Sequence, residues 1–411
     1  MEEYRTYTLE ELSIGKGNYG IAASAVPFDA SLHTYLRITD INDDGTLNKS
    51  GLMSVDEDEA GKYLLKPNDI VFARTGNSTG RSYFYDGSDG ELVYAGFLIK
   101  FSLDSTKVNP RILKYYTHSK PYYDWVQSFG TGSTRGNINA KTYGNMPITL
   151  PPRDIQDKIV DVLKSLDDKI EVNRRINDNL EQQAQALFKS WFVDFEPFRD
   201  QPFVESELGM IPEGWRVGTL NELGDIVGGS TPSKAKPEYY TNNGIAWLTP
   251  KDLSIANFKF TAKGETDITQ EGYNSCSTKL MPKGSVLFSS RAPIGYITIA
   301  KNEICTNQGF KSVVPKLAGT SYIYYFLKAS TEEIENKATG STFKEASGAL
   351  MKSLPAIIPS SYILDSFEEL IEPIFRKQET MEDESRRLAQ LRDTLLPRLM
   401  SGEIKVGDVT L

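Results

Sequence analysis

Apolar residues between positions 153 and 193 return every three or four residues, the spacing of one face of an α-helix. From Leu166 onward the steps alternate between four and three, which is a heptad seam. The pattern predicts one long helix from about Arg153 to Val193. Its stripe is Ile155, Ile159, Leu163, Leu166, Ile170, Asn173, Asn177, Leu180, Ala184, Leu187 and Trp191.

A second stripe of the same kind follows 208 residues later, and both stripes become polar in the middle. Two interpretations are open: each helix packs on its own globular domain, or the two pair as an antiparallel coiled coil. The length favours the pair, and buried polar residues in a seam fix its register. The second stripe is Ile363, Phe367, Ile371, Ile374, Gln378, Met381, Ser385, Leu388, Arg392, Leu395 and Leu399.

Short segments also recur at this offset. TGST occurs at 131–134 and 339–342, and YRTYTLEEL at 4–12 resembles WRVGTLNEL at 215–223. A period near 210 residues is too long for a solenoid and indicates a duplicated domain pair. We expect a globular part at 1–150, a helix and linker at 151–205, a second globular part at 206–360, and a helix at 361–411.

Each globular part has the alternating and aromatic-rich runs that are typical of strands, followed by a helical pattern. The fold class predicted is α+β, with two similar mixed α/β domains. The helices are expected near Pro110–Gln127, broken by Pro121, and near Thr320–Lys337. The strands are expected at Tyr35–Ile41, Ile70–Arg74, Ser82–Tyr85, Leu92–Phe101, Ile245–Thr249, Ser285–Ser289 and Ile294–Ala300.

Composition and charge limit the classes of function that the chain can have. The chain of 411 residues has a net charge of −9, a weak argument against nucleic-acid binding, but residues 206–360 hold 16 basic and 14 acidic side chains. A local basic groove is therefore compatible with the total. No apolar run is long enough for a membrane span and the acidic start does not resemble a signal peptide. With two cysteines, these features predict a cytoplasmic protein with reduced thiols.

Catalytic signatures are missing from the sequence. It contains no GxxxxGK[ST] phosphate loop, no HExxH and no CxxC pair, and no Asn-Pro-Pro-aromatic tetrapeptide of the kind expected in an adenine methyltransferase. We therefore predict no catalytic residue, no metal site and no cofactor in this chain. A binding or assembly protein is the expectation, ahead of a single-chain nuclease or methyltransferase.

Five segments together carry a family resemblance that covers almost the whole chain. They are Leu150–Phe195, Ser206–Gly229, Leu280–Ile297, Asn307–Val313 and Leu391–Ile404. The chain resembles the DNA-specificity (S) subunit of a type I restriction–modification system, a bacterial defence against foreign DNA. A coiled-coil assembly adaptor that does not read bases is the alternative.

The resemblance implies a division of labour. Each globular part would be a target-recognition domain that reads one half of a bipartite double-stranded DNA target. The long helices would separate these domains and dock two methyltransferase (M) subunits, which use S-adenosylmethionine. Two restriction (R) subunits, which use ATP and Mg, can join such complexes; the sequence leaves their presence here open. No membrane partner is implied.

Candidate DNA contacts follow from side-chain chemistry. Arg74 with Thr75, Gly76 and Asn77 would place a guanidinium in a groove and backbone N–H groups on phosphate. Arg291 is matched to Arg74 in the second part, and structural ion pairs are the equal alternative for both arginines. Lys251 is a further candidate cation, although most exposed lysines have no such role.

The TGST loops offer hydroxyls and backbone donors to phosphate, or else cap helices at a domain junction. Their candidates are Thr131, Ser133, Thr134, Arg135 and Lys141 in the first copy, and Thr339, Ser341, Thr342 and Lys344 in the second. For partner docking we predict an exposed aromatic patch of Phe188, Trp191 and Phe192. The alternative for the patch is packing on the first globular domain.

Overall fold

The computed structural model describes residues 4–129, 137–255, 258–340 and 344–409. The chain forms two compact units. The first unit combines Met1–Ile170 with Arg387–Leu411, and the second is Glu171–Arg386. Each of the two long helices therefore contributes one part of its length to each unit.

The first unit is built on the four-stranded sheet β2-β8-β5-β6, flanked by the three-stranded sheet β4-β3-β7 and the pair β1-β9. Its strands are β1 (Arg5–Thr8), β2 (Asn18–Tyr19), β3 (His33–Leu36), β4 (Met53–Val55), β5 (Asp69–Ala73), β6 (Ser82–Tyr85), β7 (Leu92–Tyr94), β8 (Leu98–Ser102) and β9 (Pro147–Leu150). Its helices are α1 (Pro110–Tyr116), α2 (Lys120–Gln127), α3 (Ala140–Gly144), the first part of α4 (Arg153–Phe192) and the last part of α10 (Ser361–Met400).

Strand β5 shows why this sheet lies at the centre of the first unit. All five of its residues are buried. Because side chains alternate across a strand, Ile70 and Phe72 enter one apolar cluster, whereas Val71 and Ala73 enter another. A continuous apolar run is what a strand covered on both faces requires.

The second unit is built on the sheet β13-β21-β18-β19-β16. Its strands are β10 (Phe203–Ser206), β11 (Gly209–Pro212), β12 (Arg216–Thr219), β13 (Gly224–Gly228), β14 (Tyr240–Thr241), β15 (Trp247–Leu248), β16 (Phe260–Thr261), β17 (Asp267–Ile268), β18 (Val286–Ser290), β19 (Ile294–Ala300), β20 (Cys305–Thr306), β21 (Lys311–Pro315) and β22 (Pro355–Ile358). Its helices are the rest of α4, then α5 (Leu220–Leu223), α6 (Pro250–Ile255), α7 (Gln270–Asn274), α8 (Thr320–Lys337), α9 (Gly348–Ser353) and the first part of α10.

The internal repeat predicted from the sequence is confirmed in the main sheet and in two strand pairs of each unit. The order β2-β8-β5-β6 in the first unit corresponds to β13-β21-β18-β19 in the second. The antiparallel pair β1·β9 joins Thr8 to Pro147, and β12·β22 joins Thr219 to Pro355. The parallel pairs β3·β7 and β15·β20 also correspond. The two units therefore share one core topology.

Three predicted strands are too long. The strand expected to reach Ile41 ends at Leu36, because the backbone N–H of Arg37 donates to the Asp40 carboxylate (2.8 Å) and closes a turn. The run 92–101 divides into β7 and β8, where the Leu98 N–H donates to the Ala95 carbonyl (2.8 Å). The strand predicted over 245–249 keeps only β15.

The break that Pro121 predicts is confirmed. Helix α1 ends at Tyr116 and α2 begins at Lys120. Pro121 lies in the first turn of α2, where a missing N–H costs no helical hydrogen bond.

The long helices pair in antiparallel fashion inside each unit. In the first unit the Arg392 guanidinium of α10 donates to the Asp167 carboxylate of α4 (2.9 Å). In the second, the Asn173 amide donates to Glu384 (2.8 Å), and Asn177 faces Gln378. In successive contacts the residue number rises along α4 and falls along α10, which defines an antiparallel pair. The polar middle of the seam is thus a set of matched hydrogen bonds.

The helices also pack on the globular parts, so the alternative interpretation holds as well. Ile159 and Leu163 of α4 belong to the main core of the first unit. Phe367 and Ile371 of α10 belong to that of the second. The stripe of each long helix therefore packs against both the partner helix and the adjacent globular core.

Candidate nucleic-acid interface

Arg74 follows β5 directly, and its backbone is held on both sides. Its N–H donates to the Phe97 carbonyl (3.1 Å), and its carbonyl accepts from the Ile138 N–H (2.9 Å). Thr75 continues this contact as an isolated antiparallel bridge to Asn137. The position from which the Arg74 side chain leaves the sheet is therefore fixed.

The Arg74 guanidinium lies over the ring of Tyr19, with its central carbon 5.1 Å from the ring centroid. The Tyr19 hydroxyl accepts a hydrogen bond from the Ala140 N–H (3.1 Å), which fixes the ring. The Nε of Arg74 is buried and has no hydrogen-bond partner among the described residues. The ion pair that was the alternative for Arg74 is not seen in the described part of the chain.

The rest of this loop surrounds Arg74. Gly76 has φ +77°, a left-handed conformation that favours glycine, and begins a short turn that exposes Asn77. Lys141 is exposed on α3, one residue after the N–H that holds Tyr19. Thr131, Ser133, Thr134 and Arg135 lie outside the described residues. The structure thus brings Arg74, Thr75, Gly76, Asn77 and Lys141 to one region.

Sequence reasoning missed Tyr19 and Phe97, whose side chains are 42% and 57% exposed. Tyr19 is 55 positions from Arg74 in the chain, and no motif links them. One local signal in the sequence could have pointed to Phe97: the dipeptide GF occurs at 96–97 and again at 309–310.

The match between Arg291 and Arg74 is wrong by one residue. In the second unit the Ser290 carbonyl accepts from the Ala346 N–H (2.9 Å), and Arg291 bridges Glu345. Glu345 and Ala346 stand 208 positions after Asn137 and Ile138. Ser290 therefore corresponds to Arg74, and Arg291 corresponds to Thr75.

Arg291 and Lys251 both have carboxylate partners. Arg291 lies 3.5 Å from Glu345, which also pairs with Lys311 at 3.1 Å. Lys251 pairs with Glu265 at 3.0 Å, and both side chains are largely exposed. An exposed pair of this kind is weak, so Lys251 remains accessible to another anion, whereas Arg291 is tied into the second unit.

The second TGST loop is described in part. Thr339 is exposed and its N–H donates to the Glu345 carbonyl (3.3 Å). Lys344 is exposed, with its ammonium 3.3 Å from the Glu335 carbonyl. Ser341 and Thr342 lie outside the described residues. The roles of these four residues stay predictions.

The expected exposed aromatic patch is wrong. Phe188 and Phe192 are each 6% exposed and belong to the main core of the second unit. The ring of Phe188 lies 5.6 Å from Tyr322, and that of Phe192 lies 4.9 Å from Phe367. Trp191 is half-buried against the same core. The alternative, packing on the first domain, is also wrong, because these rings close the core of the second unit.

Comparison with known proteins gives this geometry a context. The sequence profile of the type I restriction modification DNA specificity domain matches residues 4–182 and 212–381. The chain belongs to this family. The two matched ranges correspond to the two copies of the fold.

Two curated relatives and one solved structure agree with this membership. The MjaIX specificity subunit of Methanocaldococcus jannaschii is 39% identical over 190 residues, a match spanning 44% of each chain. The HindI specificity subunit of Haemophilus influenzae is 28% identical over 408 residues, 84% of this chain and 88% of the relative. The crystal structure of a type I restriction-modification S subunit from M. genitalium aligns with a TM-score of 0.54 at 16% identity, over 97% of this chain and 96% of that one. At this identity the structural likeness concerns the fold.

One cation of this specificity protein is buried rather than available to DNA. The side chain of Lys259 in the second unit is 7% exposed, with its ammonium 3.7 Å from the centroid of the Phe375 ring. It donates to Glu181 of α4 (2.7 Å) and to Gln378 of α10 (2.9 Å). Lys259 therefore ties the globular part of the unit to both long helices at the polar middle of their seam.

Burial disfavours the charged forms of Lys259 and Glu181, whereas the ion pair between them favours both charges. Burial lowers the pKa of Lys259 to about 8, although Glu181 favours its charged form. Burial also opposes the charge of Glu181, yet Lys259 and Lys328 outweigh it and hold its pKa at about 2. The shifts differ in outcome because Glu181, 21% exposed, is less deeply buried than Lys259 and has two cationic partners.

The described residues contain no group of three or more His, Cys, Asp or Glu side chains placed to hold a metal ion. None of their helices has both the length and the apolar character of a membrane span.

Proposed function

We propose that this chain selects the DNA target of a type I restriction–modification complex and holds the catalytic subunits of that complex. The globular part at 1–150 reads one half of a bipartite duplex target, and the part at 206–360 reads the other. The helical segments at 151–205 and 361–411 separate them and carry the partner subunits.

The observation that carries the proposal is one topology present twice with different chemistry at corresponding positions. The backbones of Arg74 in the first unit and Ser290 in the second make corresponding hydrogen bonds, but their side chains differ. A repeated framework suits two half-sites of one duplex. Different side chains at its reading positions suit two different sequences, so we expect the target to be non-palindromic.

The chemistry of methylation and cleavage belongs in this proposal to partner subunits. Two M subunits supply S-adenosylmethionine-dependent methylation of adenine, one in each half-site. Two R subunits, where the system has them, supply ATP- and Mg-dependent cleavage. The chain itself contributes no catalytic residue and no cofactor, and it acts in the cytoplasm, where its DNA is.

The test is to co-express the chain with the methyltransferase encoded beside it, in a host that lacks adenine methylation, and to map methylated adenines by long-read sequencing. One bipartite motif that disappears when this chain is omitted supports the proposal. Methylation that is the same without the chain refutes it. A chain that binds the methyltransferase without changing its sequence preference would instead be an assembly adaptor.

A further inference from the structure

We propose that Arg74 reads a guanine in the half-site recognised by residues 1–150, and that Tyr19 positions it for this. The inference rests on the proposed function, because it requires this part of the chain to contact DNA bases. It goes beyond that function in naming the reading side chain, the residue that positions it and the base.

Arg74 has a fixed position in the fold, but its Nε has no hydrogen-bond partner among the described residues. Its backbone is fixed by Phe97 on one side and Ile138 on the other. Its guanidinium is stacked over Tyr19, whose own hydroxyl is anchored by the Ala140 N–H. Stacking and a fixed backbone reduce the entropy that an arginine loses on binding.

The second step is that the guanidinium lacks an acceptor. The buried Nε has no partner among the described residues, and no carboxylate of that part of the chain pairs with Arg74. A buried charged donor without a partner is costly, and such a group in a native structure calls for an explanation. A hydrogen-bond acceptor on a bound ligand would provide that explanation.

The third step is that the acceptor is a base edge rather than phosphate. The phosphate backbone is the same in both half-sites, so a residue that positions it should recur in both copies of the fold. Arg74 does not recur: Ser290 holds the corresponding position, with the corresponding backbone contacts. Variation within a repeated framework is expected of a residue that reads sequence.

The fourth step is the identity of the base. The planar fork of arginine matches the O6 and N7 acceptors of guanine in the major groove, the commonest specific arginine contact. The exposed ring of Tyr19 lies against the guanidinium and offers apolar surface to a neighbouring base. Lys141, which is exposed and directly follows the residue that holds Tyr19, suits a phosphate contact better.

The test uses the full complex with M subunits and compares Arg74→Ala, Arg74→Lys, Tyr19→Ala and Tyr19→Phe. Methylation motifs are mapped, and binding is measured by competition with duplexes in which each guanine of the wild-type motif is replaced in turn. Arg111→Gln is the matched control, since Arg111 lies in the same unit but pairs with Asp86 at 3.0 Å.

Arg74→Ala should lower discrimination at one guanine of one half-site roughly 5- to 150-fold, and leave the other half-site unchanged. Arg74→Lys should lose most of the same discrimination, because an ammonium lacks the planar fork that stacks on Tyr19 and matches the two guanine acceptors. Tyr19→Ala should weaken that position too, whereas Tyr19→Phe, which keeps the ring, should retain most of it. Arg111→Gln should leave the motif intact.

Three results would overturn the inference. Equal weakening on all sequences, with a shallower salt dependence, would make Arg74 a phosphate contact. An unchanged motif with unchanged affinity would make it structural, and so would a lower urea midpoint for Arg74→Ala with no change of motif. A wild-type complex that methylates no defined motif would refute the proposed function itself, and this outcome is visible before any variant is made.

Discussion

Replacing Glu181 by Gln should destabilise the second unit by about 3–4 kcal/mol. The substitution keeps the shape of the side chain but removes the charge that faces the buried Lys259 ammonium at 2.7 Å. Lys259 would remain among the aromatic rings of Tyr324, Tyr325 and Phe375. Removing one partner of a buried pair costs about 3–5 kcal/mol, because the other charge stays buried without compensation.

The pKa of Glu181 gives a second route to the magnitude. It is held at about 2, against an ordinary value of 4.5, and a difference of this size corresponds to roughly 3 kcal/mol at neutral pH. The two routes agree. Because the folded pKa is lowered, this stabilisation is complete above pH 4.5 and is lost as the pH falls from there toward 2. The difference between wild type and Glu181→Gln should shrink over that interval.

The assay is urea unfolding followed by tryptophan fluorescence in a Trp125→Phe background. Trp125 belongs to the first unit, so the remaining tryptophans, Trp191, Trp215 and Trp247, all report on the second. Glu333→Gln is the matched control, since Glu333 forms an exposed pair with Lys337 on α8 and should cost well under 1 kcal/mol.

A second variant separates charge from packing. Glu181→Gln combined with Lys259→Met removes both charges, and should recover most of the lost stability, as apolar replacements of buried pairs do. The reasoning would be refuted if Glu181→Gln cost no more than Glu333→Gln. It would also be refuted if the double variant were less stable than Glu181→Gln alone.

Three further predictions concern the cores of the two units and the length of the long helices. Phe188→Ala should lower the stability of the second unit by about 3–5 kcal/mol in the same urea assay, because Phe188 is a core residue; a loss of methyltransferase binding without a loss of stability would contradict this. Asp167→Asn should destabilise the first unit by about 3 kcal/mol, followed by Trp125 fluorescence, because it leaves Lys114 and Arg392 without their shared carboxylate; an unchanged midpoint would argue against it. Inserting seven residues at matched levels of α4 and α10 adds about 10 Å of helix and should lengthen the gap between methylated half-sites by about three base pairs without changing either half-site; a fixed gap would show that the helices do not set it.

Much of the fold could be predicted because its signals are periodic and occur twice. The heptad seam predicted α4 and α10, and the 208-residue offset predicted the duplicated sheet. The matched polar residues, such as Asn177 and Gln378, were visible as interruptions in both stripes. Phe188 and Phe192 lie outside the stripe, however, so the periodic pattern did not predict their core role.

The candidate site was less predictable, because its parts meet only in the folded chain. Arg74 was found as a cation at a strand end, but Tyr19 lies on a different strand of the sheet and carries no motif. The one-residue error at Arg291 has a similar cause, since only the bridge to Glu345 fixes the register. Strand ends were overestimated where a side chain such as Asp40 closes a turn.

The central claim is that each globular part reads its own half of the target, and a domain exchange tests it most directly. Residues 1–150 are replaced by the corresponding part of another family member with a known motif, and the methylation motif of the hybrid complex is mapped by long-read sequencing. The account predicts that one half-site changes to that of the donor while the other half-site and the gap stay the same. A hybrid that changes both half-sites, or neither while still methylating, would contradict it.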